Sequence, residues 1–565
     1  MSSRPYSLPE RLTLPGMGAM PSNARRSDRS GAWLDVRSFL QLLIVLPAAI
    51  FFLSVSSGDS AAAQPQRPNI VLIMTDDMGY SDLGCFGSEI ETPNLDGLAA
   101  KGLRFTQFYN TSRCCPTRAS LLTGLYAHQA GVGSMMGDKG PKHPGYRGRL
   151  MERCVTIAEV LGPAGYRAIQ TGKWHVGDKK KEWWPLGRGF HRTFGSPAGG
   201  GFYFRPSGFR LPRFVVRNHE VVYTMEKDPP EGWYTTDAYT DEGLAFVREA
   251  VKEKKPFFWY CAYNAPHYPL KAKPEDIAKY RGRYKVGWDV IRRQRHDRLV
   301  KAGIIDPKWK LSPRPDKIPA WDTLSDEQKD IQDLRMATYA GMIDCIDQNV
   351  GKIARALKEL NVYDNTLILF LHDNGGCAEG GVLGKNRGKG KCGTVDSEAY
   401  YGECWANVSD APFRKYKAHI HEGGIATPLI AHWPKGINAK LHGSLNTEPA
   451  HVIDLMATCV DISTAPYPKT YKGRDILPLE GLSLNAAFKG DSLNRNAPLF
   501  FEHNGARGMR DGDWKLVAAK KGKWELYNLE KDRTELDNLA KKHPKRVASM
   551  AAQYKQWAKR CWVEK

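Results

Sequence analysis

Residues 70–79 read IVLIMTDDMG, five consecutive apolar side chains followed at once by a cluster of mainly polar ones. Two later stretches have the same form: FFWY at 257–260 leads to NAPH at 264–267, and LILFL at 367–371 leads to HDNGG at 372–376. Short apolar runs bounded by turn residues are typical of strands that a parallel sheet buries on both faces. The three runs therefore predict three strands of such a sheet.

Helical patterns lie between these runs. From Leu334 to Leu360 apolar residues recur at spacings near three and four, and the segment ends before Asn361 and leads into the third strand, as a βαβ unit requires. The predicted fold class is α/β, a large mixed, mostly parallel sheet flanked by helices. Because ligands bind outside the carboxyl ends of strands in open sheets of this kind, the polar residues after the three strands should gather at one edge.

The last part of the chain changes character. From about Pro498, strand-like segments at 499–502, 514–517 and 524–527 alternate with turns, and a helix follows from about Pro544. This pattern predicts a small antiparallel sheet covered by a helix. We therefore divide the chain into a signal peptide (1–63), a catalytic α/β domain (64–490) and a C-terminal α+β subdomain (491–565).

The N-terminus is typical of a targeting segment. Several arginines precede an apolar stretch at 39–55, and Ala61, Ala62 and Ala63 then offer the small residues of a cleavage site. The alternative is a signal anchor, because the apolar stretch is nearly long enough to span a membrane. We expect an exported protein, periplasmic or secreted, with no stable membrane partner.

The chain is strongly basic, with a formal net charge of +21 at pH 7. A positive field attracts anionic substrates, although a general surface bias explains the charge equally well. The basic residues are spread along the chain without clustered basic and aromatic motifs, so we expect no nucleic-acid partner. The eleven cysteines cannot all pair in disulfides within the chain, and Cys377, Cys392 and Cys404 could include one bridge.

Two pairs of oxygen-bearing residues follow predicted strands. Asp76 and Asp77 come after the first strand, and Asp373 and Asn374 come after the third. Either pair alone is more often an ordinary turn. Together, three carboxylates and an amide supply hard oxygen ligands, which suit a calcium-like ion better than zinc.

The most specific signal is the run CCPTRASLLTG at residues 114–124. Pro116 suits the first turn of a helix, which places Cys114 near a helix N-terminus, where backbone amides and the helix dipole favour an anion. Arg118 lies about one turn further on and can reach back toward that end. For an isolated Cys-Pro pair, a buried cysteine in front of a helix is the commoner interpretation.

This run resembles the signature C-x-P-x-R-x-x-x-[LT]-T-G of the sulfatase family at every defined position. A second family signature resembles GYRAIQTGKWHVG at 165–177, where Ala168 replaces a frequent Thr. The resemblance implies an alkaline phosphatase-like fold and a sulfuric ester hydrolase of the arylsulfatase-like branch. It also implies that Cys114, not Cys115 at the variable position, is oxidised to formylglycine (3-oxoalanine) by a separate formylglycine-generating maturation enzyme.

The resemblance extends to a metal site and to the remaining active-site positions. It implies one Ca²⁺ ion per active site, held by Asp76, Asp77, Cys114, Asp373 and Asn374. The catalytic positions that it implies are Cys114, Arg118, Lys173, His175, His267 and Lys417. In this scheme the hydrate of formylglycine is the nucleophile, and the arginine and the two lysines neutralise the sulfate oxygens. His267, with Lys417, protonates the leaving oxygen, and His175 takes a proton when the aldehyde is regenerated.

Two other functions fit parts of the sequence. A phosphomonoester or phosphonate hydrolase could use the same nucleophile, since sulfate and phosphate are similar tetrahedral anions. An inactive binder of sulfated polysaccharide would not need the catalytic positions, all of which are present. The substrate, an aryl, choline or carbohydrate sulfate, depends on variable loops, here 199–217 and 377–415. The first mixes aromatic residues with Arg and could stack on a ring and pair with a second anionic group.

Overall fold

The computed structural model describes residues 67–207 and 213–563, and within these ranges a mixed sheet of eleven strands lies at the centre of the fold. In chain order the strands are β1 (Asn69–Thr75), β2 (Leu103–Tyr109), β3 (Arg167–Lys173), β4 (Arg192–Ser196), β5 (Val215–Arg217), β6 (Glu220–Tyr223), β7 (Phe257–Ala262), β8 (Thr366–His372), β9 (Lys385–Asn386), β10 (Ala399–Tyr400), β11 (Ala426–His432), β12 (Leu445–Asn446), β13 (Ala450–His451), β14 (Thr470–Tyr471), β15 (Arg474–Asp475), β16 (Leu499–His503), β17 (Ala506–Asp511), β18 (Trp514–Ala518) and β19 (Glu525–Asn528). The α-helices are α1 (Pro93–Ala100), α2 (Cys114–Thr123), α3 (Ile157–Leu161), α4 (Thr235–Lys252), α5 (Pro274–Ala278), α6 (Trp288–Lys301), α7 (Asp326–Glu359), α8 (Gly402–Ser409), α9 (Glu422–Ile425), α10 (Asp454–Ser463), α11 (Asn485–Lys489) and α12 (Pro544–Arg560).

The central sheet has the strand order β12-β2-β11-β8-β1-β7-β3-β4-β5-β6, with β13 beside β2. β1 runs parallel to both β7 and β8, so the three strands predicted from the apolar runs are direct neighbours. β11 is inserted antiparallel between β2 and β8, and β5 and β6 form an antiparallel edge. The predicted α/β class with a large mixed, mostly parallel sheet is confirmed.

Both faces of β1 are buried. Val71 and Ile73 belong to one core, which includes Met336 of α7, whereas Leu72 belongs to the opposite core, which includes Leu121 of α2. Since successive side chains of a strand point to opposite faces, a strand covered on both sides must be apolar at every position. This is the pattern that predicted β1 from the sequence.

Helix α7 is longer than the segment predicted at 334–360. It begins at Asp326, where the Ser325 hydroxyl accepts a hydrogen bond from the Gln328 backbone amide (3.2 Å) and the Gln328 side chain accepts one from the Ser325 amide (3.0 Å). Such a capping box satisfies amides that have no partner within the helix. The first turn is polar, so the apolar periodicity could not show it.

The C-terminal sheet is formed by β16, β17, β18 and β19, all antiparallel. Helix α12 packs on it, with Trp557 stacked on Phe500 at a ring-centroid distance of 5.0 Å. The predicted small antiparallel sheet with a covering helix is confirmed. Strand β17 was not predicted, because its sequence ARGMRD carries three charged residues in six. The boundary at 490/491 stays a prediction.

A buried ion cluster joins this sheet to the segment that leads into β11. The Glu422 carboxylate lies 2.7 Å from the Lys515 ammonium and 3.0 Å from Arg533 Nε, and its own backbone amide donates to Glu535 (2.9 Å). All four side chains are fully buried. Glu422 follows Lys417 by five residues, so the cluster fixes the loop on which Lys417 lies.

The prediction that Cys377, Cys392 and Cys404 could include a disulfide is wrong. All eleven cysteines lie in the described part of the chain and are free thiols. Cys392 Sγ contacts Thr338 Oγ1 at 3.6 Å, and Cys404 Sγ contacts the Tyr401 carbonyl at 3.6 Å. The signal-peptide prediction for 1–63 lies outside the described residues, and no helix within the described ranges is long and apolar enough to cross a membrane.

Candidate active site

The polar residues after β1, β7 and β8 meet at one edge of the sheet. The Asp77 backbone amide donates to Asp373 Oδ1 (3.3 Å), and Asn374 Nδ2 donates to Asp77 Oδ1 (2.8 Å). Asp77 has a left-handed backbone conformation, with φ of 68°, and its carbonyl accepts a hydrogen bond from the Tyr339 hydroxyl of α7 (3.1 Å). Helix α7 therefore stabilises the turn that directs the two aspartates into the site.

Helix α2 begins at Cys114, so Pro116 is the third residue of the helix and lies in its first turn, as the sequence predicted. Every residue of this helix is buried, and only 1% of the Cys114 surface is exposed. A hydrogen bond from Cys115, with Lys173 and His175 nearby, holds the pKa of the Cys114 thiol well below its usual range, against the opposing effect of burial. The position thus favours a negatively charged group, as a helix N-terminus should.

Three cations balance the three carboxylates of the site. Arg118 Nη2 lies 2.8 Å from Asp373 Oδ2 and 3.5 Å from Asp76 Oδ2. Lys173, at the end of β3, pairs with Asp76, and Lys417 pairs with Asp77.

The charges of this cluster shift the pKa values of its members. Burial alone would raise the pKa of Asp76, but Lys173, His267 and Arg118 outweigh it and lower that pKa. Burial raises the pKa of Asp373 well above its usual range, and neighbouring Asp76 adds to the effect. Two carboxylates this close repel each other when both are ionised, and a positive charge between them would stabilise the ionised forms.

Two histidines contact different parts of this cluster. His175 is buried next to Cys114 and Cys115, and the three side chains bring one ligand atom each within 4.8 Å of one another. Burial lowers the pKa of His175 to about 4. Gly199 allows this position, because a Cβ there would lie 2.0 Å from His175 Nε2.

His267 follows β7 and faces Asp77, with 3.5 Å between its Nε2 and Asp77 Oδ2. Its Nδ1 contacts the Tyr268 carbonyl at 2.5 Å. Since a carbonyl only accepts hydrogen bonds, Nδ1 carries a proton, and Nε2 is the atom that can exchange one with a ligand. Burial lowers the pKa of His267.

Three of the oxygen atoms predicted to bind a metal ion can still accept a bond. Asp76 Oδ1, Asp77 Oδ2 and Asn374 Oδ1 are buried without a hydrogen-bond partner among the described residues. Asp76, Cys114 and Asp373 also bring one ligand atom each within 4.8 Å of one another. Buried acceptors without donors are costly unless a cation binds them, so this set fits a hard divalent ion.

Three residues that the sequence analysis missed connect the Cys114 part of the site to the His267 part. Arg113, directly before Cys114, pairs with Glu379 at 3.0 Å, and the Tyr268 hydroxyl, directly after His267, donates to Glu379 at 2.5 Å. Burial would raise the pKa of Glu379, but Lys417 and Arg113 outweigh it and lower that pKa to about 2. Glu379 lies in a glycine-rich segment outside any strand or helix, so no local pattern singled it out.

A family model described as Sulfatase matches residues 68–464. This chain is a sulfatase. A second model, described as N-sulphoglucosamine sulphohydrolase, C-terminal, matches residues 414–560. The predicted family, within the alkaline phosphatase superfamily, is confirmed, and the sulfatase is an arylsulfatase-like sulfuric ester hydrolase.

Known proteins resemble this sulfatase over most of its length. An uncharacterised sulfatase of Schizosaccharomyces pombe is 34% identical over 81% of this chain and 87% of its own length. An arylsulfatase of Klebsiella aerogenes is also 34% identical, over 79% of this chain and 97% of its own length. The crystal structure of Ps i-CgsB in complex with a neocarrahexaose is similar with a TM-score of 0.64 and 28% identity, covering 88% of this sulfatase and 94% of that chain.

Proposed function

We propose that this sulfatase hydrolyses an aryl, choline or carbohydrate sulfate through a formylglycine made from Cys114, with one bound Ca²⁺ ion. Sulfate ester hydrolysis itself follows from the family. The observation that supports the finer proposal is the placement of Cys114 at the N-terminus of α2, between Lys173, His175 and the buried oxygen cluster. A sulfur shielded by anionic oxygens needs this concentration of positive charge before a nucleophile can approach.

The residues proposed to hold the ion are Asp76, Asp77, Asp373, Asn374 and the modified side chain at 114. When bound, Ca²⁺ would withdraw electron density from the sulfate oxygens and lower the pKa of a coordinated hydroxyl. The carboxylates now pair with Lys173 and Lys417. With the carboxylates engaged by an ion, the Lys173 and Lys417 ammonium groups would be available to donate to sulfate.

The remaining steps belong to side chains of this chain. Arg118, Lys173 and Lys417 bind and orient the sulfate oxygens, so the ester is held with its leaving oxygen toward His267. Protonated His267 donates from Nε2, because its Nδ1 is engaged by the Tyr268 carbonyl. His175 lies next to Cys114 and accepts the hydroxyl proton of the modified side chain as the aldehyde re-forms and sulfate is released.

Maturation must precede completion of the fold. Cys114 is 1% exposed and the whole of α2 is buried, so a modifying enzyme cannot reach the thiol in the folded protein. We therefore propose a formylglycine-generating enzyme as a transient partner of the unfolded chain, and export to the periplasm or beyond as the destination. Cells without that enzyme should yield folded but inactive protein.

The test is Cys114→Ser against the matched control Cys115→Ser. We expect nitrophenyl sulfate hydrolysis to fall at least a thousandfold in the first variant, because a serine would need water to release its sulfate, and to be retained in the second. Mass spectrometry of the wild-type tryptic peptide should find formylglycine at 114, and elemental analysis should find one calcium per chain. Full activity in Cys114→Ser, or a fully active wild type with unmodified Cys114, would overturn the proposal.

A phosphomonoester or phosphonate hydrolase using the same nucleophile is the competing function. Parallel kinetics on nitrophenyl sulfate and nitrophenyl phosphate distinguish the two. We expect kcat/KM to be higher for the sulfate. A preference for the phosphate would reverse the assignment of the substrate while leaving the nucleophile in place.

A further inference from the structure

A cleft of about 180 Å³ opens beside His267. From one part of the chain its lining includes Gly200, Gly201, Ser207 and Arg213, and from another it includes residues between Glu379 and Tyr400, together with Tyr268. Since His267 is both part of the proposed reaction centre and part of the lining, a sulfate ester held at Cys114 would extend the rest of its molecule into this cleft.

One wall of the cleft is aromatic. Tyr268 and Tyr400 stack with their ring centroids 4.2 Å apart and an interplanar angle of 29°. Tyr400 belongs to β10, whose antiparallel partner at this position is Lys385 of β9. The Lys385 ammonium lies 5.9 Å from the centre of the Tyr400 ring, and the Arg387 guanidinium lies 5.8 Å from it. Two cations therefore stand beside a rigid aromatic pair.

The carboxylates that line the cleft are already neutralised. Glu379 pairs with Arg113 at 3.0 Å, and Glu398 lies 3.5 Å from Lys271. Within residues 67–207 and 213–563, in contrast, neither Lys385 nor Arg387 forms an ion pair with a carboxylate. Among the residues that line the cleft, the cations are therefore in excess of carboxylates that are free to pair with them.

We propose that this cleft binds a second anionic group of the substrate, and that Arg387 and Lys385 determine this specificity. The inference rests on the proposed function of the site at Cys114. The substrate class is a sulfated saccharide that carries a further sulfate or a carboxylate. Choline sulfate is disfavoured, because its quaternary ammonium would enter a cationic cleft, and a simple aryl sulfate would leave both cations unused.

The experiment compares Arg387→Gln, Lys385→Gln and the control Lys389→Gln. Lys389 is exposed on the same loop but does not line the cleft, so its substitution removes the same charge without the same contact. Four substrates separate the possible ligands: nitrophenyl sulfate, a hexosamine monosulfate, the corresponding disulfate, and a monosulfated disaccharide that contains a uronic acid.

We expect wild-type kcat/KM to be highest for the disulfate or the uronate, and the better of the two identifies the anion. Arg387→Gln should raise KM for that substrate about tenfold to a hundredfold, the effect of one lost charge-assisted hydrogen bond. Its kcat and its turnover of nitrophenyl sulfate should change less than twofold. Lys385→Gln should act in the same direction, and Lys389→Gln should leave every KM within twofold.

Three results would overturn the inference. The first is an equal wild-type kcat/KM for the monosulfate and both dianionic saccharides. The second is an equal effect of Arg387→Gln on all four substrates. The third is an effect of Lys389→Gln on KM as large as that of Arg387→Gln. In each of these cases turnover of nitrophenyl sulfate still supports the proposed function. If the wild type hydrolyses none of the four but does hydrolyse choline sulfate, the inference fails and the proposed function stands; if it hydrolyses none of these five, the proposed function fails, and with it the basis of the inference.

Discussion

Replacing Glu422 by Gln removes the central charge of the buried cluster that joins the C-terminal sheet to the Lys417 loop. Burial alone would raise the pKa of Glu422, but Lys515 and Arg533 outweigh it and lower that pKa to about 2, from an ordinary value of 4.5. At about 1.4 kcal/mol per pKa unit, ionised Glu422 contributes about 3 kcal/mol to folding. Removing one partner of a buried ion pair lowers the free energy of unfolding by a similar amount, about 3–5 kcal/mol.

This contribution depends on pH in a defined direction. Because the folded-state pKa lies below the unfolded one, the stabilisation is fully present above about pH 5 and is lost as the pH falls from 4.5 toward 2. At pH 4 the wild type should already have lost part of it, whereas Glu422→Gln has no such proton to bind. The difference between the two proteins should therefore shrink on acidification.

Urea unfolding followed by tryptophan fluorescence at pH 7, 5 and 4 measures these differences. Glu530→Gln is the matched control, since Glu530 forms an ion pair of 2.6 Å with Lys308 in which both side chains are about half exposed. We expect the control to cost less than about 1 kcal/mol. If Glu422→Gln lies within about 0.5 kcal/mol of the wild type at pH 7, or if the difference grows on acidification, the reasoning is refuted.

Two further predictions concern catalysis. Glu379→Gln should lower kcat about tenfold with little change in KM, because a glutamine has one acceptor oxygen and can no longer accept from both Arg113 and Tyr268, so the segments that carry them shift slightly. Glu398→Gln, in the same cleft but without those contacts, should keep kcat, and equal effects would show a general charge effect instead. His267→Gln should lower turnover of a sugar sulfate at least tenfold more than that of nitrophenyl sulfate, since nitrophenolate leaves without a proton. Equal losses on both substrates would show that His267 is not the proton donor.

Local chemistry was sufficient to predict several strands and several site residues from the order of the amino acids. A strand buried on both faces must be continuously apolar, so β1, β7 and β8 were visible as runs, and their ends located Asp76, Asp373 and His267. The run at 114–124 has a defined spacing that needs no partner elsewhere in the chain. The same holds for the C-terminal sheet, except for β17, whose charged residues hide its pattern.

Which of these residues contact one another depends on the packing of the whole fold. Arg118 was expected near Cys114, but its contact with Asp373 depends on β8 lying beside β1. Lys417 reaches Asp77 because β11 is inserted antiparallel between β2 and β8, which returns the chain to the site after a long loop. That loop also carries Glu379 and Arg387. Contacts between residues hundreds of positions apart depend on strand order. Strand order depends on how the faces of the sheet pack against the helices, and a short stretch of sequence does not predict it.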